Sequence, residues 1–428
     1  MRWLYSLIIR CAAPIAFLIV LWRGLRDRGY WQGLGERFGF GAKLSAGGSI
    51  WLHAVSLGEV TAAVPLIRGI QARHAHIPLV VTTATPAGRA RALALFGGGV
   101  DIRYVPYDTP GSMRRFFACT QPKLTIILET ELWPNLFERC RLNHIPLLLV
   151  NARLSDKSVA RYQRLDRIFS GLVRRLFSEK VFVAAQSAED LRRFRTIGAS
   201  PVQSSVAGNI KFDLQADAEA LSQGRAVRQA FAVAANGVLR LVWIAGSTHA
   251  GEDEQVLTAH AALLNKLPDA LLLLAPRHKD RFAPVASLLD ARALTYVRRS
   301  SGAAPAAETS VLLVDTLGEL SMLYAAADVA FVGGSLVPIG GHNLLEPAAL
   351  GIPVLTGPSH SNSKDVALML LQRGAALEVA DAAQLQRELL RLLDNASERQ
   401  RLGALAKDLI AANRGSVNRL LYLVETCL

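Results

Sequence analysis

The stretch FVGGSLVPIGGHNLLEPAALGIPVLTGPSHSN, residues 331–362, decides how the chain is read. It opens at the end of an apolar run, 329–332, and passes Gly333, Gly334, Gly340 and Gly341. It then meets Asn343, a residue type that caps helices, with Glu346 three positions on in capping-box register. The reading is a strand, a loop and a helix start. Glycines let the backbone approach a ligand closely, and a helix N-terminus favours an anionic group such as a phosphate. Glu346 either satisfies the helix end or accepts hydrogen bonds from a ribose diol. Gly351 stops the helix, and 352–356 reads as the next buried strand. An ordinary strand-to-helix turn of an α/β domain accounts for the same loop, so nucleotide binding stands beside it as an alternative.

Working outward, short apolar runs alternate with helical patterns in two series. Residues 50–55, 79–83, 124–128, 147–150, 181–184 and 202–206 read as strands buried on both faces, as in a parallel sheet, with helical segments such as 60–73 and 132–143 between them. A polar, alanine-rich helical stretch, 215–235, precedes a second series at 239–245, 270–275, 311–314, 329–332 and 354–356. This alternation predicts an α/β protein of two Rossmann-like, doubly wound domains facing a cleft. The expected divisions are an N-terminal membrane anchor and basic flank (1–28), a first domain (29–213), a connection (214–235) and a second domain (236–428). A short internal repeat supports them: IWLHAV leads into Ser56, Gly58 and Glu59, and LVWIAG into Ser247, Gly251 and Glu252. Each domain thus presents a serine and a glutamate where its first strand meets its first helix, at the strand ends where open α/β sheets bind ligands.

At 428 residues the chain has room for two or three domains. Hydrophobic residues make up 51% and charged residues 19%, a folded composition without a disordered tail. The net charge of +13 suits nucleic acid or anionic lipid. No Lys/Arg-rich run is interleaved with aromatics, so no nucleic-acid partner is expected. Cys11, Cys119, Cys140 and Cys427 are scattered, which suggests neither a zinc site nor a disulfide framework and fits a reducing compartment. Residues 4–22 are mostly apolar, with Trp3, Tyr5 and Trp22 near the ends and Arg23, Arg26 and Arg28 following. The run is near the ~20 residues needed to span hydrocarbon, but Arg10 and Pro14 interrupt it. A signal peptide would show a short positive start and a small-residue cleavage site, whereas here the positive cluster lies after the run. An uncleaved anchor is expected, spanning the bilayer or lying in its interface, with the remainder in the cytoplasm; a buried N-terminal helix is the rival.

Several polar residues fall at strand ends. Glu59 is either a cap partner or a general base at the mouth of a cleft. Glu129 and Glu131, in LETELWPN, end another strand, and alternating side-chain directions let only one of them face a given side. Two carboxylates there are costly without partners, which favours function over a structural ion pair. Lys211, in GNIKFD, is either a solvated lysine or a group that neutralises developing phosphate charge. Pro276, Arg277 and His278 follow a strand, and an arginine there suits phosphate through its forked donors. His249, His278, His342 and His360, taken singly, read as packed or solvated histidines. In DTLGEL, Glu319 closes either a site or a capping box from Thr316. No HExxH, DxD, P-loop or nucleophile-elbow pattern occurs, which removes support for metal-assisted hydrolysis and kinase-type transfer.

Taken in order, LGERFGF, HAVSLGE, VPYD, LETELWPN, NARLS, GNIKFD, GSTHAGE, APRH, LGEL and FVGGSLVPIGGHNLLE resemble the bacterial 3-deoxy-D-manno-octulosonic acid (Kdo) transferases of lipid A and lipopolysaccharide synthesis, along nearly the whole chain. The resemblance implies a GT-B fold and transfer of Kdo from CMP-Kdo to lipid IVA with inversion, requiring neither metal nor cofactor, at the cytoplasmic side of the bacterial inner membrane. It makes Glu59 the proton acceptor, and Glu129 and Lys211 stabilisers of the transition state. It assigns CMP to Pro276 and Arg277, to Leu317, Gly318 and Glu319, and to Asn343, Leu344, Leu345 and Glu346. Gly35, Glu36, Arg37 and Phe38 are expected to contact phosphates of the acceptor headgroup. The partners implied are CMP-Kdo, lipid IVA and inner-membrane lipids. A nucleotide-sugar epimerase or another glycosyltransferase of the same architecture, and a non-catalytic membrane-anchored nucleotide-sugar-binding protein, are the alternatives.

Overall fold

The computed structural model describes residues 2–44, 47–213, 218–231 and 240–428. The chain divides into two compact units, Met1–Asp213 with Asn413–Leu428, and Leu214–Ala412. Unit 1 contains a seven-stranded parallel sheet in the order β3-β2-β1-β4-β5-β6-β7. Its strands are β1 (Ser49–His53), β2 (Leu79–Thr83), β3 (Asp101–Tyr104), β4 (Pro122–Leu128), β5 (Leu147–Ala152), β6 (Val181–Ala185) and β7 (Ser204–Val206). Unit 2 contains a second seven-stranded parallel sheet, β10-β11-β9-β8-β12-β13-β14. Its strands are β8 (Val242–Thr248), β9 (Leu271–Pro276), β10 (Tyr296–Arg298), β11 (Val311–Leu313), β12 (Val329–Val332), β13 (Val354–Thr356) and β14 (Ala376–Glu378).

Helices cover both faces of each sheet, which is why the central strands read as continuous apolar runs. In unit 1, Ile50, Leu52, Ile126 and Val150 pack toward the helices Leu57–Arg73 and Ser416–Cys427. Trp51, Ile127 and Leu149 pack on the other face with Met113, Phe116 and Phe137. In unit 2, Trp243, Leu272, Leu313 and Phe331 meet Val256, Leu257, Leu389 and Leu392. Each such fully buried side chain contributes about 1.5–3 kcal/mol.

The strands β3, β10 and β14 were not expected from sequence. All three lie toward sheet edges and are short, and DIRY, YVR and ALE lack the two-sided apolar pattern. The second correction concerns residues 413–428, read from sequence as part of the second domain. Leu420, Leu421 and Val424 instead complete the unit 1 core, and the Asp213 carboxylate accepts the backbone N–H groups of Gly415 and Val417. Of the helical stretch expected at 215–235, Ala218–Ala230 forms a helix; 215–217, 232–235 and Leu239 lie outside the described residues.

The N-terminal helix, Arg2–Gly24, belongs to unit 1. Within it, Trp3–Gly24 is long and apolar enough to cross a membrane by length and composition, with a mean hydropathy of 2.2 over an 18-residue stretch of which only 6% is buried. Tyr5 donates to Asp108 at 2.9 Å, and the backbone N–H groups of Asn135 and Leu136 donate to the same carboxylate. Burial pushes Asp108 up to about 7 against the pull of those three donors.

Candidate functional site

In unit 1 the strand order reverses between β1 and β4, and the loops after these two strands carry the candidate residues. Such a reversal point is where open α/β sheets bind ligands. After β1, Ser56 caps the helix Leu57–Arg73 by accepting the Glu59 N–H. Glu59 returns the bond as a capping box: Oε1 accepts the Ser56 hydroxyl at 2.9 Å, and Oε2 accepts the Val55 N–H at 2.8 Å. The cap and the candidate base are therefore one residue. Each carboxylate oxygen keeps a second lone pair for a ligand. Burial raises the Glu59 pKa, the Val55 N–H opposes this, and the charges of Glu129 and Glu131 add to the rise.

After β4, Glu129 sits at φ +58°, a left-handed conformation that a non-glycine residue holds at a cost of about 1–3 kcal/mol. Its nearest cation is Arg153, at 3.9 Å. Glu131 accepts the Trp133 indole N–H at 2.7 Å, and burial raises its pKa, with Glu129 contributing. At the end of β5, Asn151 is also at positive φ, and its side-chain oxygen accepts the Ile210 N–H at 3.1 Å. That bond fixes the turn carrying Lys211 beside the strand that follows β4 in the sheet. The Lys211 ammonium has no hydrogen bond or ion pair among the described residues. Glu59, Glu129 and Lys211 thus collect at one end of one sheet.

In unit 2 the order reverses between β8 and β12. Glu252, after β8, is fully buried and accepts the N–H groups of Gly334 at 2.6 Å, Ser335 at 3.0 Å and Leu336 at 2.9 Å. It latches the glycine loop after β12 to the first strand. Gly333 has no room for a side chain, because a Cβ would lie 2.7 Å from the Glu252 carboxylate and from the Ser247 carbonyl. Ser247 itself is at φ +60°.

Three imidazoles converge on this latch. His249 and His342 meet Nε2 to Nε2 at 2.8 Å with ring planes 7° apart, and His278 stands edge-on to His249 at 5.4 Å. Burial, followed by the positive charge of Arg277, pushes His342 down to about 4. Arg277 is exposed and anchored by its backbone N–H to the Thr248 carbonyl. Pro276 is the buried last residue of β9.

Asn343 does not occupy the N-cap position expected from sequence. The helix begins at Leu345, and the Asn343 oxygen accepts the Leu345 N–H while its amide donates to Glu346 at 3.1 Å. Burial raises the Glu346 pKa, opposed by Asn343 and Arg277. Leu344 and Leu345 are buried, so they reach a ligand only through their backbone. Glu319 is held by Arg299 in two hydrogen bonds and by the Thr316 hydroxyl, whereas Leu317 is exposed and Gly318 open.

Residues 35–38 are a correction. Arg37 is buried; its guanidinium donates twice to the Ala84 carbonyl and lies 4.1 Å from the Tyr104 ring centroid. Glu36 is engaged by Arg89 and by the Tyr104 N–H. These groups are spent on holding unit 1 together and offer no seat for an acceptor phosphate. Sequence reading assigned no role to Glu252 or Asn151 and took the histidines singly, without the meeting of His249 and His342. The first had a signal, since it occupies the repeat position of Glu59.

Two doubly wound sheets, each with polar groups gathered at its strand-order reversal, define a GT-B-type fold. A solved UDP-GlcNAc 2-epimerase from Neisseria meningitidis shares it with a TM-score of 0.56 at 12% identity, over 88% of this chain and 100% of that one. The family model for 3-deoxy-D-manno-octulosonic-acid transferase (kdotransferase) matches residues 32–214. The 3-deoxy-D-manno-octulosonic acid transferase of Haemophilus influenzae is 39% identical over 427 residues, 99% of this chain and 98% of that protein. That of Bordetella pertussis is 38% identical over 99% of both. The chain belongs to the Kdo transferase family.

Proposed function

We propose that this glycosyltransferase moves Kdo from CMP-Kdo to lipid IVA with inversion, at the cytoplasmic face of the bacterial inner membrane. The observation that carries the proposal is Glu59, a half-buried carboxylate at the reversal point of unit 1 with free lone pairs and a raised pKa. An alcohol is a poor nucleophile, so a base within hydrogen-bond reach takes its proton as the new bond forms. The acceptor oxygen attacks the anomeric carbon, the carbon–oxygen bond to the CMP phosphate breaks, and the proton goes to Glu59. The raised pKa suits that exchange, because a base works best when its pKa approaches the operating pH.

Charge on the departing cytidylate increases as the bond breaks. Lys211, unpaired among the described residues and at the same end of the sheet as Glu129, neutralises it. Arg277, Pro276, residues 317–319 and residues 343–346 hold CMP, with the Leu344 backbone N–H facing the phosphate, the Leu345 N–H already held by Asn343, and Glu346 facing the ribose. Glu129, strained and beside the base, is assigned to stabilising charge at the sugar. Mass spectrometry of the product formed from CMP-Kdo and a defined lipid IVA acceptor tests the reading. A folded chain that yields no Kdo-bearing lipid sinks it.

A further inference from the structure

One stripe of the helix Arg2–Gly24 faces unit 1 along its length. Ser6 and Gly24 are buried, and Ile9, Ala13, Phe17 and Val20 are half-buried, at helical spacing. Near one end the Ser6 hydroxyl donates to Asn135 at 2.8 Å, next to the Tyr5–Asp108 bond. Further on, Phe17 packs edge-on against Phe38, and the Trp31 indole donates to the Leu21 carbonyl. A helix tied in this way to a polar, folded unit is read as lying in the bilayer interface, because spanning would drag those polar partners into hydrocarbon. Its opposite face suits that placement: Leu7, Ile8, Ile15, Leu18, Ile19 and Trp22 are all exposed.

Arg10 interrupts the apolar run and needs an explanation. Together with Arg139, on the helix Pro134–Leu142, it lines a pocket of about 290 Å³ between the two helices. Neither guanidinium has a hydrogen bond or ion pair among the described residues. Glu138, the acid on the same rim, is engaged by both donors of Arg141. Trp3, Met113 and Leu142 supply apolar wall. Two unneutralised forked donors over an apolar wall, at the level of the bilayer surface, match a phosphate that carries acyl chains. We propose that Arg10 and Arg139 seat the phosphate of an anionic phospholipid in this pocket. The inference rests on reading the N-terminal helix as membrane-facing, and not on which sugar is transferred.

The test uses the full chain, phosphatidylcholine vesicles doped with phosphatidylglycerol, and native mass spectrometry after release from nanodiscs of the same mixture. Arg10→Ala and Arg139→Ala are each expected to weaken vesicle binding about fivefold, with Arg10→Lys retaining most of it. Arg387→Ala, the same charge change on an exposed residue of unit 2, leaves binding near wild type. Wild-type chain retains one phosphatidylglycerol and the two alanine variants none, while thermal melting of all variants is unchanged. Equal losses for all three alanine variants overturn the proposal, as does displacement by inorganic phosphate at matched ionic strength. Transfer to detergent-dispersed acceptor by the wild-type chain separates the two readings: a wild-type chain that retains no phosphatidylglycerol yet transfers normally sinks only the pocket, and one that retains the lipid without transfer sinks only the proposed function.

Discussion

The two units use one sequence device in opposite ways. Ser56 with Glu59 and Ser247 with Glu252 both stand where a first strand meets a first helix. In unit 1 the serine caps the helix and the glutamate stays half-buried, its pKa raised by burial and by two neighbouring carboxylates. In unit 2 the glutamate is sealed at 0% exposure and spends its oxygens on the backbone of the glycine loop. The difference lies in what surrounds the carboxylate. Like charges and free lone pairs leave a group poised for proton transfer, whereas several backbone donors turn it into a fastener.

Exchanging the glutamates for uncharged residues gives the sharpest contrast. Glu59→Gln is expected to lower turnover by about 10³-fold or more while CMP still binds, because only the base is lost; near wild-type turnover ends its assignment. Glu252→Ala takes the acceptor from four backbone N–H groups, those of His249, Gly334, Ser335 and Leu336, and is expected to destabilise unit 2 by about 3 kcal/mol and abolish CMP binding. Denaturant unfolding followed by CMP titration checks both effects, and unchanged binding shows that the glycine loop needs no latch.

A third prediction compares the units under acid. His53 in unit 1 and His260 in unit 2 are both fully buried and pushed down to about 4 by burial. Their folded pKa values lie below the ordinary value near 6.5, so the stability they confer is complete above about pH 6.5 and is lost as pH falls toward 4. Between pH 6.5 and 5 each costs about 2 kcal/mol. His342, also depressed, adds to the loss in unit 2 alone. Hydrogen exchange resolved by unit is expected to show unit 2 losing more protection, and equal losses remove His342 from the account. The smallest effect belongs to Glu131→Gln. Removing its charge lowers the Glu59 pKa, so the acid limb of the transfer rate moves to lower pH; an unmoved or rising limb breaks the proposed coupling.

The alternation of apolar runs made the doubly wound architecture legible, because strands covered on both faces leave an unbroken signal. Edge strands leave none: DIRY pairs on one side and keeps a polar side chain, so tertiary pairing had to reveal it. At the site, residues at strand ends were found by position, and Glu59, Glu129 and Lys211 needed no side-chain geometry to be noticed. Their partners were harder to see. The bond from Ile210 to Asn151 and the meeting of His249 with His342 join segments far apart in sequence. Arg37 misled for the related reason that an arginine beside an apolar helix reads as lipid-facing until its neighbours are known. Asn343 and Glu346 were rightly paired but placed in the wrong cap, since the chain turns once more before the helix begins.

The return of the helix Ser416–Cys427 to the core of unit 1 orders events during synthesis. The face of the helix Leu57–Arg73 that it covers stays wet until residues 413–428 have left the ribosome. Unit 2, encoded between these segments, has all its strands available earlier and can condense first. A nonsense codon near residue 415 would therefore spare the later-encoded half and cripple the one translated at the outset.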